Sequence, residues 1–496
     1  MNPLMNILTE PAQVADFSQD TWWIWVIKAV FIVVFLIFSV IFALWFERRL
    51  LARMQNRVGP NTVGPLGLLQ SFPDALKLLM KEDFFLKGAD KVVYFVAPAI
   101  SALAAFTIMA VIPMGPGVNL FGHETPLQLS DSPVAMLFVL AAAALGEYGL
   151  VLGGWSAKST LPLYGSVRSA TQMISYELAQ GLSLITIFVL AGTMSTSGIV
   201  DAQNDLWNII ILMPAFLVYV VTMFGEANRL PFDLPEAENE IVAGPHTEYS
   251  SMKFGWYYLS EYINMLNLSM LATTLFLGGW HAGPIEGAIF NLLGFDANVG
   301  WWPMLWFLGK TWTFMALFVW VRGTLIRFRY DQFMKLGWKG LIPAALIWLF
   351  IVMAVLGINT ARPIQLEPVL IILSIAYSLI MLIWAFGDDT YYPSQAEIIA
   401  EREQEEFTGF EDGYPVPPLP GQHLPPSPRA SRRSGSTASA GLESSQGNLQ
   451  GSSQSAALGS ARFNSAQSES LAGVVPSNAV APNNSDEHRT TQEVSK

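Results

Sequence analysis

Residues 22–46 read WWIWVIKAVFIVVFLIFSVIFALWF, and Lys28 is the only charged residue in this run of 25. A bilayer is crossed by about 20 consecutive apolar residues, so the run is long enough to span one. Eight further apolar runs follow, at about 92–113, 134–155, 172–192, 207–225, 253–279, 303–321, 341–358 and 367–386. The sequence therefore predicts an all-α, polytopic membrane protein of eight to nine transmembrane helices.

The composition of the whole chain agrees with a membrane protein. Of its 496 residues, 52% are hydrophobic and 13% are charged, whereas soluble proteins have about 25% charged residues. The chain has no cysteine, which excludes disulfides, thiolate zinc sites and cysteine-ligated iron–sulfur clusters within it. Its five histidines are far apart in the sequence, so a histidine-built metal site is not expected. The net charge of −12 argues against binding to nucleic acid.

Lysine and arginine are unevenly distributed among the connections between the predicted spans. The odd-numbered connections hold 17 of these residues, and the even-numbered ones hold only Arg362. Cytoplasmic loops of membrane proteins carry the excess of basic residues. We therefore expect the N-terminus outside the cell and, with nine spans, a cytoplasmic C-terminal tail.

Residues 63–80 are too polar to cross a membrane, but they have the pattern of an interfacial helix. Apolar residues recur in steps of three and four, at positions 66, 69, 72, 76 and 79, while Asp74 and Lys77 fall on another side. This spacing predicts an amphipathic helix at the cytoplasmic surface, which Pro73 would bend or restart.

Changes in composition divide the chain into three predicted parts. Residues 1–386 form the transmembrane domain, and residues 387–411 form an acidic juxtamembrane segment. Residues 412–496 are rich in Pro, Ser, Gly and Ala and lack the apolar residues needed for a core. We expect this last part to be a disordered cytoplasmic tail.

Several ionisable residues fall inside the predicted spans or, in the case of Glu226, at the end of one. The acids are Glu147, Glu177, Glu226 and Glu261, and the bases are Lys28 and Lys310. Such groups are costly in a bilayer and commonly mark proton or ion routes. The alternative is that those near a surface, Lys28 above all, are merely paired or extend to the interface.

The connection after the fifth run, EANRLPFDLPEAENEIVAGPHTEYS at 226–250, holds six acids and one arginine, Arg229. In one interpretation Asp233 is a helix N-cap, Glu236 is its capping-box partner and Pro235 lies in the first turn. That interpretation leaves Glu238 and Glu240 unexplained. The connection is then either a solvated acidic loop or one that collects protons for the carboxyls in the membrane.

The first connection begins FERRLLARMQNRVGPNTVGPLGLLQ, at 46–70, with four arginines before two Gly-Pro turns. The preference for basic residues on the cytoplasmic side explains their number. Their arrangement would also suit an anionic or carbonyl-bearing head group with a lipid tail. Glycine-rich nucleotide loops and Ser/His/Asp patterns are absent from the sequence.

Five motifs together resemble one known family. They are the first-connection motif just quoted, DALKLLMKED, GWSAKSTLPLYGSVRSATQMISYE, NRLPFDLPEAENEIVAG and TEYSSMKF. In this order they resemble the NADH dehydrogenase subunit 1 family, which includes the H-type membrane subunit of bacterial NADH:quinone oxidoreductase (respiratory complex I). The resemblance covers roughly residues 22–360. Membrane subunits of energy-converting hydrogenases and related dehydrogenases belong to the same superfamily. The resemblance therefore indicates the family more firmly than it indicates the electron donor.

The resemblance implies a membrane subunit of a proton-pumping enzyme in the bacterial inner membrane. It implies that the chain forms the membrane part of a channel for a quinone (ubiquinone or menaquinone) and couples quinone reduction to proton translocation. FMN and iron–sulfur clusters would belong to partner subunits, so this chain would hold no catalytic redox group and no metal. The partners would be a peripheral quinone-reducing arm, antiporter-like membrane subunits and membrane lipid.

The resemblance also assigns roles to positions of this sequence. Arg48, Asp74 and Lys77 match charged positions of the family's quinone channel. The family's chain of coupling carboxylates matches Glu147, Glu177, Glu226, Glu236, Glu238, Glu240 and Glu261.

The sequence departs from the family at two positions, and two other classes of function remain open. Pro245 stands where the family has an aromatic residue, which removes an N–H and restricts Gly244. Pro73 stands directly before Asp74, whereas the family has Pro-x-Ala-Asp in this segment. A stand-alone ion-coupled secondary transporter would also have carboxyls within its spans, but no internal repeat is visible. A purely structural anchor would not explain those carboxyls.

Overall fold

The computed structural model describes residues 15–120, 122–204, 206–283, 287, 296–361 and 365–387. The first helix, α1 (Trp22–Met54), has 33 residues, or about 50 Å at 1.5 Å per residue. That length exceeds a hydrocarbon core of about 30 Å, so the charged end from Glu47 onward can extend beyond the core. The helix thus runs eight residues past the predicted end at Phe46.

The predicted interfacial helix forms in two parts. A 3₁₀ turn, Pro65–Gln70, leads into α2 (Ser71–Met80). Leu66 and Gly67 have positive φ, so the chain turns between the two Gly-Pro sites and the helix. Pro73 lies in the first turn of α2, where its missing N–H costs no helical hydrogen bond. The expected restart near Pro73 therefore occurs at Ser71.

Helices α3 (Lys91–Ile108) and α4 (Ala135–Ser156) pack closely because small residues face each other. Asp90 caps α3 by accepting a hydrogen bond from the backbone N–H of Val92. Ser101 of α3 donates a hydrogen bond to the carbonyl of Gly146 in α4 at 2.7 Å. A Cβ at Gly149 would lie 2.7 Å from the carbonyl oxygen of Ala97. Glycine on α4 therefore sets the approach of the two helices.

A short antiparallel hairpin lies between α3 and α4, formed by β1 (Gly117–Leu120) and β2 (His123–Pro126). The all-α prediction did not include it. Strands of four residues give too short an alternating pattern to be separated from a loop in the sequence.

Helix α5 (Thr160–Ala191) begins twelve residues before the predicted span at 172. The prediction of a loop with Arg168 in it was wrong, because residues 160–171 form three helical turns. Polar side chains in these turns interrupt the apolar pattern from which the span was predicted. Ser166 and Ser169 are nevertheless buried, and the Ser166 hydroxyl donates to the Pro162 carbonyl four residues earlier. Gly192 ends the helix in the left-handed conformation, with φ of 69°.

The fifth predicted span is broken. After α6 (Thr196–Asp201), α7 (Asn208–Ile211) is separated from α8 (Met213–Glu226) by Leu212, and Pro214 lies in the first turn of α8. With 14 residues, α8 is about 21 Å long. Glu226 is its last residue, as the sequence suggested.

Helix α9 (Glu238–Ile241) is short, and α10 (Ser251–Phe276) follows it through the centre of the bundle. Eighteen of the 26 residues of α10 are buried, including Ser269, Thr273 and Thr274. These three hydroxyls donate to carbonyls four residues earlier. A helix surrounded by protein can carry polar groups that a lipid-facing helix cannot.

The remaining helices are α11 (Trp302–Thr324), α12 (Tyr330–Lys335), α13 (Ile342–Ala361) and α14 (Leu366–Gly387). A π-helical turn, Leu336–Leu341, joins α12 to α13. The predicted segment after Gly387 and the tail at 412–496 lie outside the described residues.

Helices occur at all nine predicted positions. In the part of the chain that the structure describes, seven are long and apolar enough to cross a membrane: α1, α3 with its extension to Val111, α4, α5, α11, Tyr330–Thr360 and Leu366–Trp384. The other two positions are those of α8, which is short, and α10, which is polar and buried. The prediction of a helical polytopic membrane protein is confirmed.

Candidate functional site

Four carboxyl side chains from four different helices meet in one region of the bundle. They belong to Glu147 of α4, Glu177 of α5, Glu226 of α8 and Glu261 of α10. A cavity in this region has a volume of about 40 Å³. This is room for roughly three water molecules, at about 10–15 Å³ each. Its acidic lining consists of Glu147, Glu226, Glu236 and Glu261.

Two smaller cavities of about 10 Å³ each adjoin the large one. The lining of one includes Glu147, Glu177 and Glu226. The other is lined by Glu226, by polar side chains such as Gln180 and Asn267, and by apolar side chains. Glu226 and Asn264 line all three cavities. Five of the seven carboxyls that the sequence singled out therefore surround one set of adjoining cavities.

Glu147 is held by two neutral donors. The Ser169 hydroxyl lies 3.3 Å from its carboxyl, and the Asn228 amide donates at 3.4 Å. Asn228 is oriented in turn by Gln172, whose amide donates to the Asn228 side-chain oxygen at 3.0 Å. The same Gln172 amide donates to the backbone carbonyls of Gly225 and Phe232. Gln172 of α5 thus fixes the start of the acidic loop against Glu147.

A second charged group lies beside the large cavity, around Arg229. Its guanidinium forms an ion pair with Glu261, with an N–O separation of 2.8 Å, and stacks over the Tyr262 ring at 4.2 Å. Glu47 of α1 lies 4.0 Å from Arg229, accepts a hydrogen bond from Tyr262 at 2.6 Å and pairs with Arg322 of α11. Burial alone would lower the pKa of Arg229, but Glu261 and Glu47 raise it well above its ordinary value. Arg229 therefore stays charged.

Among the ionisable groups of the acidic loop, Glu236 and His246 line the same cavity. Asp233 pairs with Arg327 at 3.1 Å, and burial together with the neighbouring Glu236 raises the pKa of Asp233 to about 6. His246 lies 3.4 Å from Glu236. Burial lowers the pKa of His246 to about 4, so its imidazole is neutral near pH 7.

The capping interpretation of this loop was wrong. The next helix, α9, begins at Glu238 with Ala237 in the N-cap position, so Asp233 caps no helix. Its partner is Arg327, which is 94 residues away in the sequence. Glu240 is exposed and pairs with Arg168, outside the cavities. The side chain of Glu238 is not among those described.

The three residues matched to a quinone channel lie at the junction of α1 and α2. Arg48 pairs with Asp74, and Gln70 donates to Asp74 at 3.4 Å. Lys77 is exposed one turn further along α2. The structure thus brings Arg48 and Asp74 together, with Lys77 on the same short helix.

Pro245 lies in a 3₁₀ turn, Gly244–His246, that packs on α5. A Cβ on Gly165 of α5 would lie 2.6 Å from the Pro245 ring. Gly244 has φ of 50°, a conformation that favours glycine. The two glycines therefore accommodate Pro245: Gly244 adopts the backbone conformation before it, and Gly165 leaves room for its ring.

The described residues contain no group of three or more histidine, aspartate or glutamate side chains that could hold a metal ion.

Comparison with known proteins identifies the family. The family model described as NADH dehydrogenase matches residues 27–353. The chain belongs to the NADH dehydrogenase family. Within that family, it is similar to the NADH-quinone oxidoreductase H subunit of Streptomyces avermitilis, with 48% identity over 418 residues. The match covers 83% of this chain and 90% of that protein.

In this member of the NADH dehydrogenase family, sequence reasoning missed several residues of the site. Glu47 is 5% exposed and central to the Arg229 group, yet it lies among arginines and was included in a basic segment. An acid directly after an apolar run was the signal that could have revealed it. Neutral members such as Asn264, Asn228 and Tyr262 have no comparable signal in the sequence.

Proposed function

We propose that this chain is the H-type membrane subunit of NADH-quinone oxidoreductase, respiratory complex I. In this role it forms the membrane part of the quinone channel and couples quinone reduction to proton translocation. Membership of the NADH dehydrogenase family and similarity to an H-type subunit over most of the chain support the assignment. The observation that carries the coupling role is the set of five carboxyls around adjoining cavities.

The quinone end of the proposed channel lies at α1 and α2. Arg48 with Asp74, and Lys77 beside them, would face the polar head of the quinone, and the exposed apolar side chains of α2 would face its tail. FMN and iron–sulfur clusters of partner subunits supply the electrons that convert quinone to quinol. This chain's residues bind and orient the head group and supply protons.

The coupling route would run from the quinone end to the carboxyls inside the bundle. A charge change at the quinone acts on the group formed by Glu47, Arg322 and Arg229, because Glu47 is adjacent to Arg48. Arg229 transmits the change to Glu261, which shares the large cavity with Glu236, Glu147 and Glu226. Glu177 continues the route through a smaller cavity. Glu238 and Glu240 would exchange protons with this group from the loop.

The proposed setting is the inner membrane of a bacterium. The distribution of basic residues supports a topology with the N-terminus outside and with the acidic loop, α2 and the tail in the cytoplasm. The peripheral quinone-reducing arm would then meet the α1–α2 junction, and the antiporter-like subunits would receive the proton signal. Residues 387–411 and 412–496 would be a juxtamembrane segment and a disordered tail.

The assignment is tested by purifying the chain from its own membrane through an affinity tag in a mild detergent. We expect a large particle that contains flavin and iron and reduces quinone with NADH. A large particle with iron but no NADH activity would contradict it and favour a related hydrogenase or dehydrogenase. A chain that purifies alone would favour a secondary transporter.

The coupling role is tested by Glu226→Gln in the assembled complex. Because Glu226 borders all three cavities, we expect proton pumping to fall by about tenfold or more, as for other positioned proton carriers. Pumping is measured as acidification of the interior of inverted membrane vesicles when NADH is added. Glu124→Gln, an exposed acid on β2, is the control and should pump normally. Full pumping by Glu226→Gln would contradict the proposed route.

A further inference from the structure

The start of α10 holds the segment after α2 through a set of side chain–backbone hydrogen bonds. The hydroxyl of Ser251 donates to the Leu78 carbonyl at 3.1 Å, and that of Ser250 donates to the Glu82 carbonyl at 3.4 Å. The ammonium of Lys253 donates to the Phe84 carbonyl at 3.3 Å. Three neighbouring side chains of the TEYSSMKF motif thus contact a single stretch, residues 78–84. The proposed coupling route uses none of them.

Of these three residues, Lys253 has the most partners. It is 7% exposed, and its ammonium pairs with Asp83 at 3.0 Å. The same group lies 5.1 Å from the centre of the Phe85 ring and 4.8 Å from that of Tyr94. A buried lysine is costly unless its charge and its donors are matched. Here a carboxylate, a carbonyl and two aromatic rings match it, and three of these four partners lie in residues 83–85.

The packing of α2 itself is too weak to fix its position. Ser71 is its only buried residue, and Phe72, Leu79 and Met80 are more than half exposed. The beginning of α2 is attached to α1 through Arg48, which pairs with Asp74. The end of α2 is held by Ser251, which contacts Leu78, and the segment directly after α2 is held by Ser250 and Lys253. Polar contacts at its two ends therefore determine where this helix lies.

We propose that Ser250, Ser251 and Lys253 are positioning residues that fix α2, and with it Asp74 and Lys77, at the wall of the quinone channel. We call these three residues the clamp. The part that concerns quinone rests on the proposed function, whereas the part that concerns the position of α2 does not. Glu261 lies eight residues beyond Lys253 on α10, or about 12 Å along the helix. One helix thus holds both the channel wall and a coupling carboxyl.

The test uses the complete complex with Lys253→Met, which keeps the side-chain stem and removes the charge. Amide hydrogen exchange of residues 71–85 should become about tenfold faster, because a local contact that keeps the segment closed is lost. The KM for quinone should rise by about threefold or more while kcat changes less, since a displaced wall weakens binding first. Lys253→Arg keeps the charge and should restore both values. Lys87→Met, an exposed lysine in the same connection, should change neither.

Each result decides one part of the inference. Unchanged exchange in Lys253→Met would overturn the clamp. Faster exchange with an unchanged KM would overturn its link to quinone. A wild-type complex without NADH-driven quinone reduction would contradict the proposed function, while the exchange measurement would still judge the clamp. If Lys253→Met does not assemble, Ser250→Ala removes a single hydroxyl and should shift exchange and KM in the same direction.

Discussion

Arg229 shows how single residues keep charge inside this bundle. Its guanidinium lies between Glu261 and Glu47 and over the ring of Tyr262. Removing one partner from such a buried group typically costs about 3–5 kcal/mol, because it leaves an uncompensated charge. A proton that arrives at Glu261 would remove one partner of Arg229 in the same way. Protonation of Glu261 is therefore linked to rearrangement of the side chains around Arg229.

Asp233 provides a pH test at the residue scale. Its pKa is raised from 3.8 to about 6 by burial and by Glu236. Its contribution to stability is therefore present below pH 3.8 and is lost as the pH rises through about 6. Above pH 6 its carboxylate pairs with Arg327. We expect quinone reduction by the complex to fall as the pH drops through about 6, because this pair is then neutralised.

In Asp233→Asn this pH step should disappear, and activity at pH 7.5 should fall toward the acid level of the wild type. The measurement is the rate of NADH-driven quinone reduction between pH 5 and 8. His246→Gln should retain the step, because the pKa of His246 is about 4. A step of unchanged size in Asp233→Asn would assign the titration to another group.

At the scale of helices, the environment decides what the sequence reveals. Helix α1 was predicted correctly because residues such as Trp25 and Phe38 are exposed on an apolar surface and make the whole run apolar. Helix α10 was also predicted, from the apolar run at 253–279, although it is largely buried and carries hydroxyls that bond to its own backbone. The first three turns of α5 were missed because buried polar residues such as Ser166 and Ser169 interrupt their apolar pattern.

The close packing of α3 and α4 gives a test at this scale. Gly149→Ala would place a methyl group 2.7 Å from the Ala97 carbonyl and force the helices apart. Overpacking of this kind costs about 1–3 kcal/mol. We expect the temperature at which the complex loses half of its activity to fall. Gly181→Ala in α5, where a Cβ would meet no atom within 4 Å, is the control and should leave that temperature unchanged or raise it slightly.

The candidate site was predictable in part. Charges within apolar runs revealed Glu147, Glu177, Glu226 and Glu261, because each breaks a hydrophobic pattern. Their neighbours were not predictable: Arg322 and Glu47 are 275 residues apart and meet only through packing of α1 against α11. The loop pair of Asp233 and Arg327 escaped notice for the same physical reason, since local capping was the only partner the sequence offered.

In the described part of the chain, apolar side chains cover much of the outer surface, and many polar side chains lie buried among the apolar residues of the core. Ile380 and Ile383 of α14 are about 60% exposed, whereas Gln172, Thr222 and Ser269 are fully buried. This arrangement suits a bundle surrounded by lipid or by other membrane helices, where polar groups must find partners within the protein. The sequence at 412–496 lacks the apolar residues needed to add to such a bundle.

Removing residues 415–496 should therefore leave assembly and quinone reduction close to wild type. The measurement is the activity of the truncated complex at matched content of flavin. A longer deletion that begins at Leu366 is the comparison. It removes α14, whose Ser374 hydroxyl donates to the Ile210 carbonyl, and should impair assembly. Loss of activity in the shorter deletion would give the tail an essential role.

The position of Glu226 has a genetic consequence. Glu226 borders all three cavities, whereas Glu177 borders one of the two small ones. Effects of residues that act in one series are not additive. Once Glu226 is replaced, replacing Glu177 as well should add little, so the double variant resembles the Glu226 single variant. Epistasis would thus rank the carboxyls by their order along the route, and it would single out Glu226 as the position at which one substitution disconnects the others.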